Sequence, residues 1–285
     1  MIGAIVGDIA GSRFEWHNRK SKRFTFLKGE NESRHPCRFT DDSVMTLAVA
    51  DAIMKWREAG GGSYDALSAE VVTSMQDFGR RYPRAGYGGA FRHWLHDDCP
   101  QPYNSWGNGA AMRVSACGWA GRTLDEVKAM SRAVTEVTHN HPEGIKGAEA
   151  TAVATFLART GKSMEEIKAV VVRDYYPLGF TLDEIRPAYE FDVSCQGSVP
   201  QALEAFFEST SFEDAIRNAI SIGGDSDTIG AICGAVAGAF YGVPDDISAK
   251  AETFLDDYLL KTLHDFERVF VDSVADMSGC PTGSM

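Results

Sequence analysis

Hydrophobic residues recur with helical spacing along most of this chain. Between Thr40 and Ala59 they form one broad stripe, which stops at three consecutive glycines, Gly60–Gly62. The range 124–137 repeats the pattern. Alternating apolar and polar positions, which are typical of half-buried strands, are nearly absent. The sequence therefore predicts an all-α fold.

Several helix ends are marked by their residue types. Pro142 can occupy the first position of a helix that continues to Arg159, because its missing N–H would have no partner there. Ser211 precedes two acids, Glu213 and Asp214, which is typical of a capped helix start. Further helices are predicted over residues 65–80, 110–120, 163–173, 200–208, 244–259 and 261–271.

Glycines fall at every fourth position, 230, 234 and 238, in the apolar stretch that follows Asp227. This spacing lines them along one helix face, where another backbone can approach closely. In a membrane such a stripe would suggest a dimerising span. The uncharged stretch, residues 228–243, is shorter than the about 20 residues that a span needs. We therefore predict a buried central helix within a single domain, residues 1–277, followed by a disordered tail, residues 278–285.

The net charge of −12 and the pI near 5.0 argue against general nucleic-acid binding, because affinity for phosphate backbones comes from Lys and Arg. The six cysteines are scattered without a CxxC pair, a pattern typical of reduced thiols. The N-terminal segment meets an acid at Asp8, too early for a signal peptide. We expect a cytoplasmic protein that does not associate with membranes. The many surface acids are compatible with a monomer.

Two acidic clusters lie far apart in the sequence, FTDDS at 39–43 and GGDSDT at 223–228. Each places two carboxylates and one or two hydroxyls at the start of an apolar helix. Helix capping explains one such cluster well. Two clusters weaken the capping interpretation and strengthen that of a shared metal site, because like-charged groups are costly to bring together unless a cation neutralises them, and Mg²⁺ or Mn²⁺ prefers such oxygen ligands. Composition alone leaves both interpretations open.

Three further segments carry candidate ligand-binding groups. Asp8, Ser12 and Glu15 would share one face if they lay on a helix, although a plain amphipathic helix is the alternative. The turn-rich segment 103–113 could expose N–H groups to a phosphate, and its Trp106 could stack on a planar base, but it has no Walker lysine. The segment 84–89 could be a second ligand-facing turn or only a connector.

The sequence THNHPEG at 138–144 contains two histidines, His139 and His141. They could form a zinc pair, but no other Cys or His stands at a supporting spacing. One histidine could instead donate a hydrogen bond to a phosphate or ribose oxygen. A histidine at a helix start with no ligand is the simplest interpretation.

In this order the segments resemble the ADP-ribosylglycohydrolase family. The matching motifs are GAIVGDIAGSRFE (3–15), FTDDS (39–43), GYGG (86–89), SWGNGAAMR (105–113), THNHPEGIKGAEA (138–150) and GGDSDTIGAICGAVAGAFYG (223–242). The resemblance implies an all-α orthogonal bundle around two Mg²⁺ or Mn²⁺ ions. It also implies hydrolysis of the bond between C1″ of ADP-ribose and a modified acceptor, which can be a protein side chain, a nucleic-acid base or a small molecule.

The resemblance implies a set of metal ligands: Thr40, Asp41, Asp42, Asp225, Asp227 and Thr228. It places three acids at the reaction, with Glu15 the better candidate for proton transfer: Asp8, Glu15 and Asp41. It assigns substrate contacts to two turns and one histidine: Gly86, Gly88, Ser105, Trp106, Gly107, Asn108, Gly109 and His139.

One departure from the family pattern is Ser43, which stands where many members have Thr and keeps the hydroxyl. The acceptor group is not indicated by any residue of the sequence. Two other functions stay open at this point: a non-catalytic ADP-ribose-binding relative, and a two-metal nucleotide phosphohydrolase.

Overall fold

The computed structural model describes residues 1–272, which form fourteen α-helices and contain no β-strand. The all-α prediction is confirmed. The predicted domain end at residue 277 and the tail 278–285 lie outside the described residues. The helices are α1 Ile2–Gly11, α2 Asp41–Glu58, α3 Tyr64–Arg81, α4 Gly89–Trp94, α5 Ser115–Ala120, α6 Leu124–Glu136, α7 Pro142–Arg159, α8 Met164–Asp174, α9 Leu182–Ile185, α10 Cys195–Phe207, α11 Phe212–Ser221, α12 Ser226–Tyr241, α13 Asp245–Glu252 and α14 Asp257–Glu267.

The predicted starts and stops of several helices are confirmed. Helix α2 ends just before Gly60 and Gly61, whose φ angles of +97° and +64° are left-handed and stop the helix. Helix α7 begins at Pro142. The Ser211 hydroxyl accepts the N–H of Asp214 and caps α11.

Other boundaries differ from the prediction. The predicted helix over 244–259 is two helices, because the Asp256 carboxylate accepts the N–H groups of Tyr258 and Leu259 and starts α14 there. Residues 111–114 form a turn and not the start of the helix predicted over 110–120. Two short helices, α4 and α9, were not predicted.

Helix α10 begins five residues before the predicted start, at Cys195, and contains Pro200. The Ser194 hydroxyl caps it by accepting the N–H of Gly197. The N–H that Pro200 lacks would have paired with the carbonyl of Gln196 in the first turn. Because Gln196 is exposed, water can satisfy that carbonyl and the proline is tolerated.

Helices α1 and α12 pack backbone to backbone. Helix α12 is buried from Ser226 to Ala237, which confirms the predicted buried central helix. A methyl group placed on Gly3 would lie 2.4 Å from the Gly234 carbonyl oxygen, so no larger side chain fits there. Helix α1 carries its own four-residue glycine repeat, which the sequence contained and the prediction missed.

The structure contradicts the idea that Asp8, Ser12 and Glu15 lie on one helix face. Helix α1 ends at Gly11, Ser12 is its C-cap, and Glu15 lies in the following turn. The amphipathic alternative is also wrong, because every residue of α1 is buried. Helix α1 is thus a central core helix, and Glu15 reaches its position through a separate turn.

The helices and the cysteines can also be compared with what the sequence predicted. Within residues 1–272, none of the helices combines the length and the apolar character that a membrane crossing requires. The cysteines in that part of the chain are unpaired, in line with the expectation of free thiols: Cys37, Cys99, Cys117, Cys195 and Cys233.

Candidate metal centre and ligand cleft

The two acidic clusters of the sequence meet in the fold and form two groups of three carboxylates. The inner carboxylate group consists of Asp8, Asp42 and Asp227, all buried, with one oxygen of each within 4.8 Å of the others. The outer carboxylate group consists of Glu15, Asp225 and Asp227 and meets the same distance limit. Asp227 belongs to both groups. The arrangement therefore offers two adjacent positions for cations with one shared ligand.

Asp8 fastens the start of α2 to α1. One of its carboxylate oxygens accepts the Thr40 hydroxyl at 2.7 Å. The other accepts the N–H groups of Thr40 at 2.9 Å and Ser43 at 3.1 Å, and also the Ser43 hydroxyl. The hydroxyl that Ser43 shares with threonine is thus used. These bonds fix the N-terminus of α2, and with it Asp42, next to Asp8.

Asp42 has one oxygen with partners and one without. Its Oδ2 lies 3.3 Å from the hydroxyls of Thr228 and Thr40. Its Oδ1 is buried and accepts no hydrogen bond from the described residues. An unpaired buried carboxylate oxygen is costly, and a divalent cation would satisfy it. The donor set therefore fits a hard cation such as Mg²⁺ or Mn²⁺.

Helix capping does not account for the second cluster. Gly223 and Gly224 turn the chain with φ angles of +72° and +75°, which place Asp225 at the N-cap of α12. The Asp225 side chain makes no capping hydrogen bond. It accepts instead from the Asn108 amide at 2.7 Å. The carboxylate therefore belongs to the shared site and does not cap the N–H groups of its own helix.

Burial raises the pKa of every carboxyl group in this region. It raises the pKa of Asp41 to about 7, and the charge of Asp8 adds to the effect. Burial is also the main reason that the pKa values of Asp42 and Asp227 lie well above their usual range. No ion pair within 4.0 Å among residues 1–272 involves any of the six acids: Asp8, Glu15, Asp41, Asp42, Asp225 and Asp227. The positive charge of Arg38 acts on Glu15 from beyond this distance. Protons or bound cations must therefore neutralise most of the remaining negative charge.

Asp41 lies beside these groups and belongs to neither of them. Its N–H donates to the Ala85 carbonyl at 3.0 Å, and a methyl group on Gly86 would lie 2.8 Å from Asp41 Oδ1. Gly86 also has a φ of +125°. The turn 84–89 is therefore held against Asp41 and requires glycine at this position. The role of Asp41 as a metal ligand stays a prediction.

A cavity of about 410 Å³ opens next to the carboxylates. Seven of the eight predicted substrate-binding residues line it: Gly86, Gly88, Ser105, Gly107, Asn108, Gly109 and His139. Trp106 is not among its lining residues, since its ring lies edge-on to His141, with centroids 5.5 Å apart, and is half exposed. Stacking of Trp106 on a base therefore stays a prediction without support from the cavity.

The segment 189–194 forms part of the cavity wall that the sequence did not indicate. Its Val193 carbonyl accepts the N–H of Asn108 at 2.7 Å, and Ser194 pairs with Gly107 in a single β-bridge. Phe191 stacks on Trp16, with ring centroids 5.2 Å apart. Both rings are exposed and line the cavity. Trp16 and Phe191 lie 175 positions apart in the sequence, and the other two contacts join positions 85 and 87 apart, so no local pattern could predict them.

The two histidines of the HxH sequence have different positions. His141 is the N-cap of α7 and accepts the N–H of Glu143 at 3.1 Å, so the helix-start interpretation is confirmed for it. His139 is buried beneath the loop 105–109 and lines the cavity. In the part of the chain that the structure describes, no candidate metal-binding group includes a histidine. The described residues therefore supply no further ligand that would complete a zinc site with these two histidines.

Comparison with known proteins gives consistent matches over most of the chain. The family model described as ADP-ribosylglycohydrolase matches residues 1–274. The chain is 28% identical to the mouse "ADP-ribosylhydrolase ARH3", over 96% of this chain and 91% of that protein. It is 26% identical to the "ADP-ribosylarginine hydrolase Tri1" of Pseudomonas putida, over 85% and 70% of the two chains.

The fold itself has also been seen before. A solved structure titled "ADP-ribosylglycohydrolase-related protein complex" matches with a TM-score of 0.67. The match covers 95% of this chain and 96% of that chain, at 22% sequence identity. It supports the all-α fold.

Proposed function

This chain belongs to the ADP-ribosylglycohydrolase family and is a hydrolase of that family, and we propose that it cleaves the bond between C1″ of ADP-ribose and a modified acceptor with the help of two divalent cations. The observation that carries the proposal is the pair of carboxylate groups that share Asp227 beside the cavity. The unpaired Oδ1 of Asp42 supports it, because a buried carboxylate oxygen without a hydrogen-bond donor is costly and a cation would satisfy it.

We assign cation binding to the aspartates of the two carboxylate groups, with the hydroxyls of Thr40 and Thr228 beside Asp42. When bound, Mg²⁺ or Mn²⁺ supplies positive charge that orients ribose hydroxyls and lowers the pKa of a water molecule. Asp8 holds the start of α2 in place, since both of its oxygens accept hydrogen bonds from that helix. Asp41 contributes negative charge at the edge of the site.

We assign proton transfer to Glu15. Unlike the four fully buried acids, Glu15 is only partly buried, and it lines the cavity. Departure of the acceptor builds positive charge on the sugar ring, as in other glycoside hydrolyses. The oxygen of a water molecule bonds to C1″, and the acceptor leaves with the electron pair of the broken bond. Glu15 takes the water proton or returns a proton to the acceptor.

We assign the rest of ADP-ribose to the loop 105–109 and His139, which line the same cavity. Asn108 links the two regions, because its N–H is held by Val193 and its side-chain amide donates to Asp225. A ligand bound by this loop would therefore be fixed relative to the outer carboxylate group. Such fixed geometry between the binding loop and the reacting groups is what a positioned hydrolysis requires.

The experiment that tests this function is product analysis by mass spectrometry. The purified protein is incubated with Mg²⁺ or Mn²⁺ and a panel of ADP-ribosylarginine, ADP-ribosylserine and O-acetyl-ADP-ribose, with and without chelator. We expect cation-dependent release of free ADP-ribose from at least one of them, and none from Asp227→Asn. AMP with ribose phosphate would identify a phosphohydrolase instead, and binding without any product would identify a non-catalytic ADP-ribose-binding protein.

A further inference from the structure

A buried chain of three polar side chains lies beneath the loop 105–109. The Arg113 guanidinium donates through Nη2 to the Thr138 hydroxyl at 2.7 Å. The same hydroxyl lies 2.7 Å from Nδ1 of His139. All three side chains are at least 95% buried, with 1%, 0% and 5% of their surface exposed in that order. None of them belongs to the carboxylate groups.

These contacts determine which nitrogen of His139 carries a proton. The Thr138 oxygen accepts from Arg113, which has no acceptor atom, so its own hydroxyl proton remains to be donated. Its two available acceptors are His139 Nδ1 at 2.7 Å and the Thr135 carbonyl at 3.5 Å. A distance of 3.5 Å is at the limit of a hydrogen bond, so the Thr138 hydroxyl donates its hydrogen bond to Nδ1. Nδ1 is then an acceptor, and the ring proton resides on Nε2.

The remaining nitrogen of His139 is directed to the cavity. A methyl group on Gly107 or on Gly109 would lie 3.5 Å from Nε2, so both glycines leave the nitrogen open beneath the loop. His139 lines the cavity, and no acceptor among the described residues pairs with Nε2. The Nε2–H is therefore available to an acceptor atom of a ligand in the cavity.

The charges around His139 favour its neutral form. Burial lowers its pKa, and the positive charge of Arg113 lowers it further. Arg113 itself forms no ion pair with a carboxylate among residues 1–272. A neutral imidazole has one N–H, and here that N–H can only face the cavity.

We propose that Thr138 and Arg113 are positioning residues that hold His139 as the neutral Nε2–H tautomer, so that His139 donates a hydrogen bond to an acceptor oxygen of ADP-ribose. The identity of the ligand rests on the proposed function, whereas the tautomer does not. Thr138 acts by donating its hydroxyl proton to Nδ1 of His139. Arg113 acts by donating to the Thr138 oxygen, which leaves Nδ1 as the acceptor for the Thr138 hydroxyl.

The tautomer is measured by NMR on the full chain labelled with ¹⁵N-histidine, without ligand, with His139→Gln used to assign the signal. In the wild type we expect the proton on Nε2 and a hydrogen-bonded Nδ1. In Thr138→Val the nitrogen Nδ1 loses its donor, and the two nitrogen signals should move toward each other as the ring samples both tautomers. Thr138→Ser keeps the hydroxyl and should restore the wild-type signals.

A matched control lies one helical turn earlier on the same segment. Thr135 is fully buried, and its hydroxyl oxygen has no hydrogen-bond partner among the described residues. Thr135→Val therefore removes an equally buried hydroxyl outside the polar chain and should leave both His139 signals unchanged. Arg113→Lys keeps a cationic donor and should also preserve the tautomer. In Arg113→Met the ring should sample both tautomers, as in Thr138→Val.

Binding of ADP-ribose in the presence of Mg²⁺, measured by calorimetry, gives the functional readout. We expect Thr138→Val to bind about tenfold more weakly, the effect of one weakened hydrogen bond to a charged ligand, with Thr138→Ser and Thr135→Val unchanged. A wild-type proton on Nδ1, or unchanged signals and affinity in Thr138→Val, would overturn the inference. If the wild type has the expected tautomer but does not bind ADP-ribose, the assignment of ADP-ribose as the ligand is overturned and the positioning role of Thr138 and Arg113 is kept.

Discussion

The backbones of Gly7 in α1 and Gly230 in α12 are in direct contact. A methyl group placed on Gly7 would lie 1.9 Å from the Gly230 carbonyl oxygen, far inside any van der Waals distance. The two helices therefore lie closer together than side chains would permit. Asp8 follows Gly7 in α1, and Asp227 lies near the start of α12, so this contact brings two of the three acids of the inner carboxylate group together.

Gly7→Ala is expected to destabilise the protein, because α1 and α12 must separate to admit the methyl group. Overpacking of this kind costs roughly 1–3 kcal/mol, and we expect the upper end here, since the clash is with backbone. Urea denaturation measures the free energy of unfolding. Gly179→Ala is the control, because a methyl group there would meet nothing within 4 Å. Equal stability of Gly7→Ala and wild type would mean that this close packing is not required.

Asp227→Asn is expected to weaken the binding of both cations at once, because Asp227 is the shared member of the two carboxylate groups. The loss of Mn²⁺ affinity should exceed the roughly 10–100-fold that removal of an outer partner costs a metal site. Calorimetric titration with Mn²⁺ gives the affinity and the number of sites. Asp246→Asn, which changes an exposed acid on α13, should bind like wild type. If Asp227→Asn still binds two Mn²⁺ ions with wild-type affinity, Asp227 is not a metal ligand.

Glu15→Gln separates a proton-transfer role from a metal-binding role. If Glu15 moves protons, turnover falls by roughly 10²–10⁴-fold, the usual range for such groups, and Mn²⁺ binding stays close to wild type. Single-turnover release of ADP-ribose and calorimetric titration measure the two effects separately. Loss of one Mn²⁺ site in this variant would make Glu15 a ligand of the outer carboxylate group instead.

The cation-free protein is expected to lose stability as the pH rises from 5 to 8. Burial raises the pKa of Asp41 from 3.8 to about 7, and the pKa values of the neighbouring acids are raised as well. Between its unfolded and folded pKa each group binds more protons in the folded state, so its stabilising contribution is complete below pH 4 and is lost as the pH passes the folded value.

Thermal unfolding at several pH values in chelator measures this loss. Saturating Mg²⁺ should abolish most of the slope, since a bound cation neutralises the same carboxylates. Asp41→Asn should flatten part of the slope even in chelator. Stability that rises between pH 5 and 8 without cations would mean that these carboxylates are paired in some other way.

The parts of the fold that local patterns determine could be predicted from the sequence. Helix α2 and its glycine stop, the proline start of α7 and the buried glycine-striped α12 depend on neighbouring residues and match the structure. The acidic clusters were also visible, because two similar helix starts with paired acids are unusual. Their meeting in one site was an inference from charge, and the structure confirms that they converge.

Other features depend on contacts that no local pattern contains. Whether Asp41 or Asp42 enters the inner carboxylate group depends on how α2 is rotated, and that rotation is set by Asp8 from another helix. The position of Glu15 depends on where α1 ends, and the pairing of Trp16 with Phe191 depends on two distant turns. Long-range packing decides each of these.

The central claim is that the two carboxylate groups sharing Asp227 bind two divalent cations beside the cavity. Anomalous diffraction from crystals grown with Mn²⁺ tests it most directly, because it locates manganese without reference to activity. We predict two peaks on either side of Asp227, one against Asp8 and Asp42 and the other against Asp225, near Glu15. Manganese absent from this position, or carboxylates that turn away from one another in saturating Mn²⁺, would contradict it.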